Sequence, residues 1–187
     1  MAIIDCIEKD GKSIWIKLIS EVCSTMSDYI MDLRKIVGHR PLLQVGASVI
    51  VEDETGRVLL QKRSDNNCWG YAGGSVGLDE NVEDAAKREL LEETGLTANS
   101  LELFGVFSGK ELHYIYPNGD EVSNVDIVYI CRDYTGTLKK QKDEVKELRF
   151  FALDEIPEKL SPPIRKPLEQ WVKEARNHRS VLSVEIP

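Results

Sequence analysis

Most apolar residues of the chain fall in short strand-like runs that are bounded by turn residues. Six such runs span residues 42–53, 57–63, 101–109, 112–116, 123–133 and 146–153. Glu54-Thr55-Gly56 follows the first run, and Pro117-Asn118-Gly119-Asp120 follows the fourth, as expected of tight turns. Residues 64–74, with three glycines and two asparagines among them, predict a loop.

Three segments have the three- and four-residue apolar spacing of an amphipathic helix. The first has Ser27 as a candidate N-cap and Gly38 as a stop, the second runs from Asn81 to Gly95, and the third follows Pro167. Their apolar positions are Tyr29, Ile30, Leu33 and Val37, then Val82, Ala85, Ala86 and Leu90, then Leu168, Trp171, Val172 and Ala175. Strands mixed with a few helices predict an α/β sandwich.

A length of 187 residues suits one domain with a sizeable core. We predict an N-terminal extension over residues 1–25, a single domain over 26–175 and a C-terminal tail over 176–187. Within the extension, residues 3–8 and 14–18 suggest two short strands around Asp10-Gly11. The apolar ends of the chain can pair with each other or across a homodimer interface, because exposed strand edges are ready for pairing.

Composition narrows the class of protein. The net charge of −8 disfavours binding to a nucleic acid polymer, and it means that an anionic substrate needs a bridging cation. No apolar run approaches the roughly 20 residues that span a bilayer, so we expect no membrane association. The start of the chain has no basic segment followed by an apolar core, and the four cysteines are scattered. These features predict reduced thiols and a cytoplasmic location.

Four glutamates, Glu80, Glu89, Glu92 and Glu93, occur within a stretch that Gly74 and Gly95 bracket. On a helix, positions three and four apart share a face, so the last three carboxylates are expected to project together. Like charges on one patch repel, and Mg²⁺ or Mn²⁺ relieves that repulsion because both ions prefer oxygen ligands. A solvated acidic face with i,i+4 pairs is the alternative interpretation of such a helix.

The spacing of this segment resembles the signature of the Nudix hydrolase family. The matching residues are Gly74, Glu80, Arg88, Glu89, Leu90, Glu92, Glu93, Gly95 and Leu96. Ala72, Gly77 and Asp79 depart from residues that are common in the family, but they lie outside the fixed positions of the signature. The resemblance covers residues 40–157 and implies an α/β/α sandwich with a mixed sheet.

The resemblance implies a divalent-metal-dependent pyrophosphohydrolase, which cleaves a nucleoside diphosphate linked to another moiety by water attack on phosphorus. It implies a metal site formed by Glu89, Glu92, Glu93, the Gly73 carbonyl and, in a lesser role, Glu80. Arg88 is expected to orient the neighbouring carboxylates through charge-assisted hydrogen bonds. Two candidates for the general base stay open, Glu89 and the later loop acid Glu144.

Substrate contacts are predicted for Arg63, Trp69 and Tyr114, although a packing role is the stronger interpretation of Trp69. The leaving group stays open, because Glu111 stands where many ADP-ribose hydrolases of the family have proline. Tyr114 stands where some dinucleoside polyphosphate hydrolases have tyrosine. An inactive nucleotide-sensing module with the same fold is the main alternative function, and a purely structural protein is the other.

Overall fold

The computed structural model describes the backbone of residues 28–182 and the side chains of residues 29–177. The predicted N-terminal extension, with its two short strands, lies outside the described residues. The helices of the described part are α1 (Asp28–Val37), α2 (Val82–Thr94) and α3 (Pro162–Leu182). Its strands are β1 (Leu42–Val51), β2 (Val58–Arg63), β3 (Trp69–Gly70), β4 (Ala72–Ser75), β5 (Leu96–Ala98), β6 (Glu102–Phe107), β7 (His113–Ile115), β8 (Glu121–Cys131), β9 (Tyr134–Gly136) and β10 (Val145–Phe151).

The main sheet has the strand order β4-β1-β8-β6, and β7 also pairs with β8. Strands β1 and β8 are parallel along their whole overlap, from Leu42 beside Val122 to Val51 beside Cys131. The pairings of β1 with β4, and of β8 with β6 and β7, are antiparallel. The sheet is therefore mixed, as the resemblance implied.

Helices cover both faces of this sheet. Successive side chains of a strand point to opposite faces, so each face has apolar residues that pack against a helix. Ile50 packs on one side with Leu168 and Trp171 of α3. Its neighbours Val49 and Val51 pack on the other side with residues of α2 such as Leu90. The predicted α/β/α sandwich is confirmed by these two separate clusters of buried residues.

A second sheet, with the order β10-β2-β3, brings distant parts of the sequence to one edge of the molecule. Strand β2 pairs with β10 in antiparallel register, and the amide of Ser64 donates to the Glu144 carbonyl at 2.8 Å. The predicted loop at residues 64–74 is wrong in part, because it contains β3 and β4. These strands are too short and glycine-rich to show a period in sequence, and pairing with β2 and β1 defines them.

The helices differ from the sequence prediction mainly at their ends. Gly38 and Gly95 end α1 and α2 with the positive φ angles that favour glycine. Asn81 occupies the N-cap position of α2, but its side chain donates to the Asp84 carboxylate instead of capping the backbone. Helix α3 begins at Pro162 rather than after Pro167, because a proline fits a first helical turn that has no intrahelical partner for its nitrogen.

Helix α3 also continues to Leu182, past the predicted start of a C-terminal tail at residue 176. Val181 and Leu182, which belong to the predicted tail, are thus helical, and residues 183–187 lie outside the described range. Within residues 28–182, none of the helices has the length and hydropathy needed to cross a bilayer.

The turn between β1 and β2 depends on one carboxylate. Asp53 Oδ1 accepts hydrogen bonds from the amides of Thr55 and Arg57, each at 2.9 Å, and Oδ2 accepts one from Arg57 Nε at 2.8 Å. Burial opposes ionisation of Asp53, but these hydrogen bonds outweigh it and lower the pKa of its carboxyl from 3.8 to about 2. The ionised form of Asp53 therefore stabilises the folded turn.

We expect Asp53→Asn to lower the free energy of unfolding at pH 7 by about 1 kcal/mol, allowing for solvent screening of an exposed turn. Because the folded state lowers this pKa, the stabilisation is complete above pH 3.8 and is lost as the pH falls through about 2. Urea unfolding across that range should show the difference from wild type shrinking. Glu54→Gln, in the same turn, is the control, and an equal loss in both variants would contradict the prediction.

Candidate active site

Arg88 of α2 binds three of the signature glutamates at once. Its Nε donates to Glu80 Oε1 at 2.8 Å, and its Nη1 donates to Glu89 Oε1 at 2.7 Å and to Glu92 Oε2 at 3.3 Å. Its Nη2 also donates to the carbonyl of Ser75 at 3.1 Å, which ties α2 to the end of β4. The predicted orienting contacts of Arg88 are thus present in the structure.

Glu80 holds the loop that precedes α2. Its Oε2 accepts a hydrogen bond from the Gly77 amide at 2.8 Å and a second bond from Arg88 Nη2 at 3.1 Å. The hydrogen bond from Arg88 lowers the pKa of the Glu80 carboxyl against the opposing effect of burial. Glu80 therefore links the loop before α2 to Arg88.

Glycines of β4 let the carboxylates of α2 approach the sheet. A Cβ atom on Gly74 would lie 2.3 Å from Glu89 Oε1, and one on Gly73 would lie 2.3 Å from Ser48 Oγ. Both distances are shorter than any van der Waals contact, so a larger residue at either position would displace its neighbour. Gly74 is therefore required by the close approach of Glu89.

Glu93 is buried, with 4% of its surface exposed. Its Oε2 accepts hydrogen bonds from the Gly73 amide at 2.9 Å and from Gln61 Nε2 at 2.8 Å. Burial, reinforced by the charge of Glu89, raises the pKa of Glu93 to about 8 despite these hydrogen bonds. An ionised Glu93 at neutral pH therefore calls for a nearby positive charge.

The surroundings of Glu89 also oppose ionisation of its carboxyl, but less strongly than those of Glu93. Burial raises the pKa of its carboxyl, the guanidinium of Arg88 opposes that rise, and the charges of Glu92 and Glu144 add to it. Glu144 thus lies within electrostatic range of Glu89, although 55 positions separate the two residues in sequence. The β2–β10 pairing produces this proximity, because it fixes the loop before β10 beside the end of β2.

A cleft that is partly open to solvent adjoins Gly73 and Gly74 on the face of the main sheet that carries α3. Its floor is polar where β1 and β8 run side by side, and three tyrosines and an arginine form its sides. The lining residues are Gln44, Gly46, Ser48, Arg63, Gly70, Tyr71, Gly73, Gly74, Tyr114, Tyr116, Asn124, Asp126, Ser161, Pro163 and Ile164. Aromatic sides with a few placed polar groups are typical of a small-molecule site.

Sequence reasoning missed the buried polar residues of this region. Asp126 accepts hydrogen bonds from Ser48 Oγ at 2.8 Å and from the Tyr71 hydroxyl at 3.3 Å, and burial raises the pKa of its carboxyl. Gln61 lies under Glu93, and its Oε1 is buried with no hydrogen-bond partner in the described structure. Both residues interrupt apolar strands at core-facing positions, and that interruption is the signal that could have identified them.

The predicted substrate-contacting residues separate into two groups. Arg63 and Tyr114 line the cleft, and the Tyr114 hydroxyl accepts a hydrogen bond from Asn66 Nδ2 at 3.2 Å. Trp69 is absent from the cleft lining and packs edge-to-face on Phe151, with ring centroids 4.9 Å apart. The prediction that Trp69 contacts substrate is therefore not supported by its position, because core packing occupies its ring.

The three acids predicted to project together from α2 do not converge. Glu93 is buried and Glu89 is largely buried against β4, whereas the Glu92 side chain is more exposed beside Arg88. In the described range 28–182, no three acidic, histidine or cysteine side chains are grouped as a ready metal site. Arg88 Nη1 binds the carboxylates of Glu89 and Glu92, whereas the Glu93 carboxylate accepts its hydrogen bonds from Gln61 and the Gly73 amide.

Comparison with known proteins identifies the family. A family model described as the NUDIX domain matches residues 42–172, which is well over half of the chain. The matched range contains the mixed sheet, α2 with its glutamates, and the cleft. The chain therefore belongs to the Nudix family of hydrolases.

Relatives with names and solved structures agree with this assignment. An ADP-ribose pyrophosphatase of Methanocaldococcus jannaschii is 35% identical over 136 residues, which cover 70% of this chain and 76% of that protein. An oxidized purine nucleoside triphosphate hydrolase of Danio rerio is 33% identical over 113 residues, which cover 59% of this chain and 67% of that protein. The crystal structure of a MutT NUDIX hydrolase from Burkholderia pseudomallei has a TM-score of 0.59 and 32% identity, and it covers 69% of this chain and 98% of that chain. This chain is accordingly an enzyme that acts on phosphoric anhydride bonds.

The residues at the site fit the divalent cation that the family generally uses. Glu89 and Glu93 supply hard oxygen donors. Burial is the main cause that raises the pKa of both carboxyls, and a cation beside them would stabilise their ionised forms. The unpaired Gln61 Oε1 beside Glu93 adds a buried acceptor. Gly74 leaves the space beside Glu89 that a side chain would fill.

We expect Arg88→Met to lower the free energy of unfolding by about 2 kcal/mol, because it leaves the largely buried carboxylates of Glu80 and Glu89 without their ion pair. Lys87→Met is the matched control. Lys87 is the preceding residue of the same helix and forms an exposed pair with Glu83, so its loss should stay within about 0.5 kcal/mol. Urea unfolding at pH 7 gives the free energy of unfolding of both variants. Equal destabilisation by the two substitutions would contradict the prediction that the ion pairs of Arg88 stabilise the fold.

Proposed function

We propose that this protein is a divalent-cation-dependent pyrophosphohydrolase that cleaves a nucleoside diphosphate linked to another moiety. The observation that carries the proposal is a pair of carboxylates, the buried Glu93 and the largely buried Glu89, held against two glycines that also line the tyrosine-lined cleft. A cation bound there would offset both buried charges and attract a diphosphate, which the net charge of −8 would otherwise repel.

The residues around the pair position it. The Gly73 amide and Gln61 hold Glu93 in one orientation, and Arg88 holds Glu89. A bound Mg²⁺ or Mn²⁺ would supply charge neutralisation at the phosphates and lower the pKa of bound water. Arg63 lines the cleft and lies within electrostatic range of Glu93, so it can bind a phosphate oxygen beside the metal site.

Glu144 is our choice for the residue that accepts a proton from the attacking water. Glu89 is already hydrogen-bonded by Arg88 and belongs to the proposed metal site. Glu144 lies on the exposed loop before β10, within electrostatic range of Glu89, so it can reach a water held near that carboxylate. A carboxylate that does not bind metal keeps its basicity, and this favours Glu144 over Glu89.

The nucleoside fits the cleft best. Tyr114 and Tyr116 can pack against a base, and Asn124 and Asp126 can pair with its polar edge or with sugar hydroxyls. Glu111, which stands in place of the proline of many ADP-ribose hydrolases, forms an ion pair with Lys166 of α3 and lies outside the cleft lining. An ADP-linked substrate is therefore compatible with Glu111.

The proposal includes small-molecule nucleotides as partners, no nucleic acid polymer and a cytoplasmic location. The acidic net charge and the free thiols of Cys68 and Cys131 support these parts. A homodimer stays a prediction from the apolar ends of the chain, which lie mostly outside the described residues.

We expect Glu93→Gln to abolish Mg²⁺-dependent turnover, by about 10²-fold or more, while the variant keeps the wild-type circular dichroism spectrum. The amide is similar in shape but cannot neutralise a cation. Phosphate-release assays on a panel of nucleoside triphosphates, ADP-sugars and dinucleoside polyphosphates provide the measurement. Glu83→Gln, an exposed change on the same helix, serves as the control and should behave as wild type.

Near-normal turnover by folded Glu93→Gln would refute the proposed metal site. Metal-dependent nucleotide binding by the wild-type protein without any product, across the whole panel, would instead favour the inactive sensing module. The two results are distinct, because the first concerns the variant and the second concerns the wild-type enzyme.

The choice of base can be tested by separating turnover from metal affinity. We expect Glu144→Gln to lower kcat by about 10²-fold and leave the Mn²⁺ dissociation constant unchanged, because Glu144 is assigned no metal contact. Glu89→Gln should weaken both turnover and Mn²⁺ binding. Calorimetric titration with Mn²⁺ supplies the affinities, and wild-type kcat in Glu144→Gln would return the role to Glu89.

A further inference from the structure

Helix α1 lies outside the residues that match the NUDIX domain, yet it borders the candidate site. Ile30, Met31 and Arg34 of this helix line a second compartment, which is partly open to solvent. The family domain alone would leave that side of the compartment open. Helix α1 therefore limits which ligands can fit in the second compartment.

A buried arginine fixes α1 in place. Arg34 is 9% exposed, and its guanidinium donates to the carbonyls of Arg40 and Glu121, each at 2.6 Å, and to that of Gly38 at 3.1 Å. It also pairs with Asp120 at 3.4 Å. These contacts attach α1 to the turn between β7 and β8. Both strands also carry residues that line the cleft. The helix is therefore a fixed side of the compartment.

The second compartment adjoins both the cleft and the proposed metal site. It shares Gln44, Arg63 and Tyr116 with the cleft, and Glu144 and Ser75 also line it. The Ser75 carbonyl accepts a hydrogen bond from Arg88, and Glu144 interacts electrostatically with Glu89. A diphosphate bound at the carboxylates would therefore lie near both the cleft and this compartment.

The charges of the compartment select the chemical class of its occupant. Two arginines, Arg34 and Arg63, face three acids, Asp65, Asp120 and Glu144, and both arginines are already paired with an aspartate. A terminal phosphate would meet more negative than positive charge. Hydroxyl groups, in contrast, find carboxylate acceptors there, and carboxylates accept several hydrogen bonds each.

We propose that α1 and this compartment select nucleoside diphosphate sugars, with the sugar beyond the diphosphate lying against Met31. This inference rests on the proposed pyrophosphohydrolase activity and names its substrate class. A nucleoside triphosphate has only phosphate in that position and gains nothing from the compartment. A substitution of Met31 should therefore affect the turnover of nucleoside diphosphate sugars and not that of nucleoside triphosphates.

The test is Met31→Trp, which fills the compartment with an indole. Met31 is 53% exposed, so the larger side chain need not disturb the core. We expect kcat/KM for ADP-ribose to fall about tenfold or more, and kcat/KM for ATP to change less than about twofold. Ile36→Trp is the matched control, because Ile36 is on the same helix, is 82% exposed and is absent from the compartment lining.

Each outcome bears on the inference. A selective loss on ADP-ribose in Met31→Trp, with Ile36→Trp unchanged, supports it, provided that the wild-type enzyme also prefers ADP-ribose to ATP. Equal loss on both substrates, no loss on either, or a wild-type preference for ATP overturns it and leaves the proposed activity intact. Turnover of neither substrate by wild-type enzyme refutes the proposed function itself. Should Met31→Trp prove unfolded by circular dichroism, Met31→Phe applies the same test with a smaller ring.

Discussion

The close packing of two glutamates of α2 against the glycines of β4 is the interaction on which the site depends. Burying carboxylates costs free energy, and here the Gly73 amide, the Gln61 side chain and Arg88 offset part of that cost. The remaining cost appears as the raised pKa values of Glu89 and Glu93. An arrangement that is unfavourable for stability alone is understandable when a cation completes it.

The main sheet supplies both the core and the binding surface along a single strand. Strand β1 begins with Gln44, Gly46 and Ser48 facing the cleft, and ends with residues such as Ile50 that pack under α3. Its parallel pairing with β8 sets Asp126 beside Gly46, and a Cβ atom at that glycine would lie 3.2 Å from Asp126 Oδ1. Small residues in β1 and β4 thus create the space, while the apolar ends of the strands hold the sheet together.

The substrate site is formed from parts that differ in how closely they belong to the family domain. The carboxylates proposed to bind metal and the tyrosine-lined cleft lie within residues 42–172. Helix α1 lies outside that range and is held by the buried guanidinium of Arg34. Substitutions in α1 can therefore change substrate selectivity without changing catalysis. The reason is that α1 lines the compartment but makes no contact in the carboxylate network.

By itself, the sequence determined the α/β class, the bounds of α2 to within a residue or two, and the identity of Arg88 as the partner of the acids. These features are local: helical period, a glycine C-cap and i,i+4 spacing act within a few residues. Only the tertiary structure decided which acids are buried, because burial of Glu93 depends on β4 and on Gln61, which lies 32 positions earlier. The approach of Glu144 to Glu89, the packing of Trp69 on Phe151 and the place of α1 beside the site likewise follow from long-range pairing of strands. No local spacing encodes such contacts, since each requires the register of one strand on another.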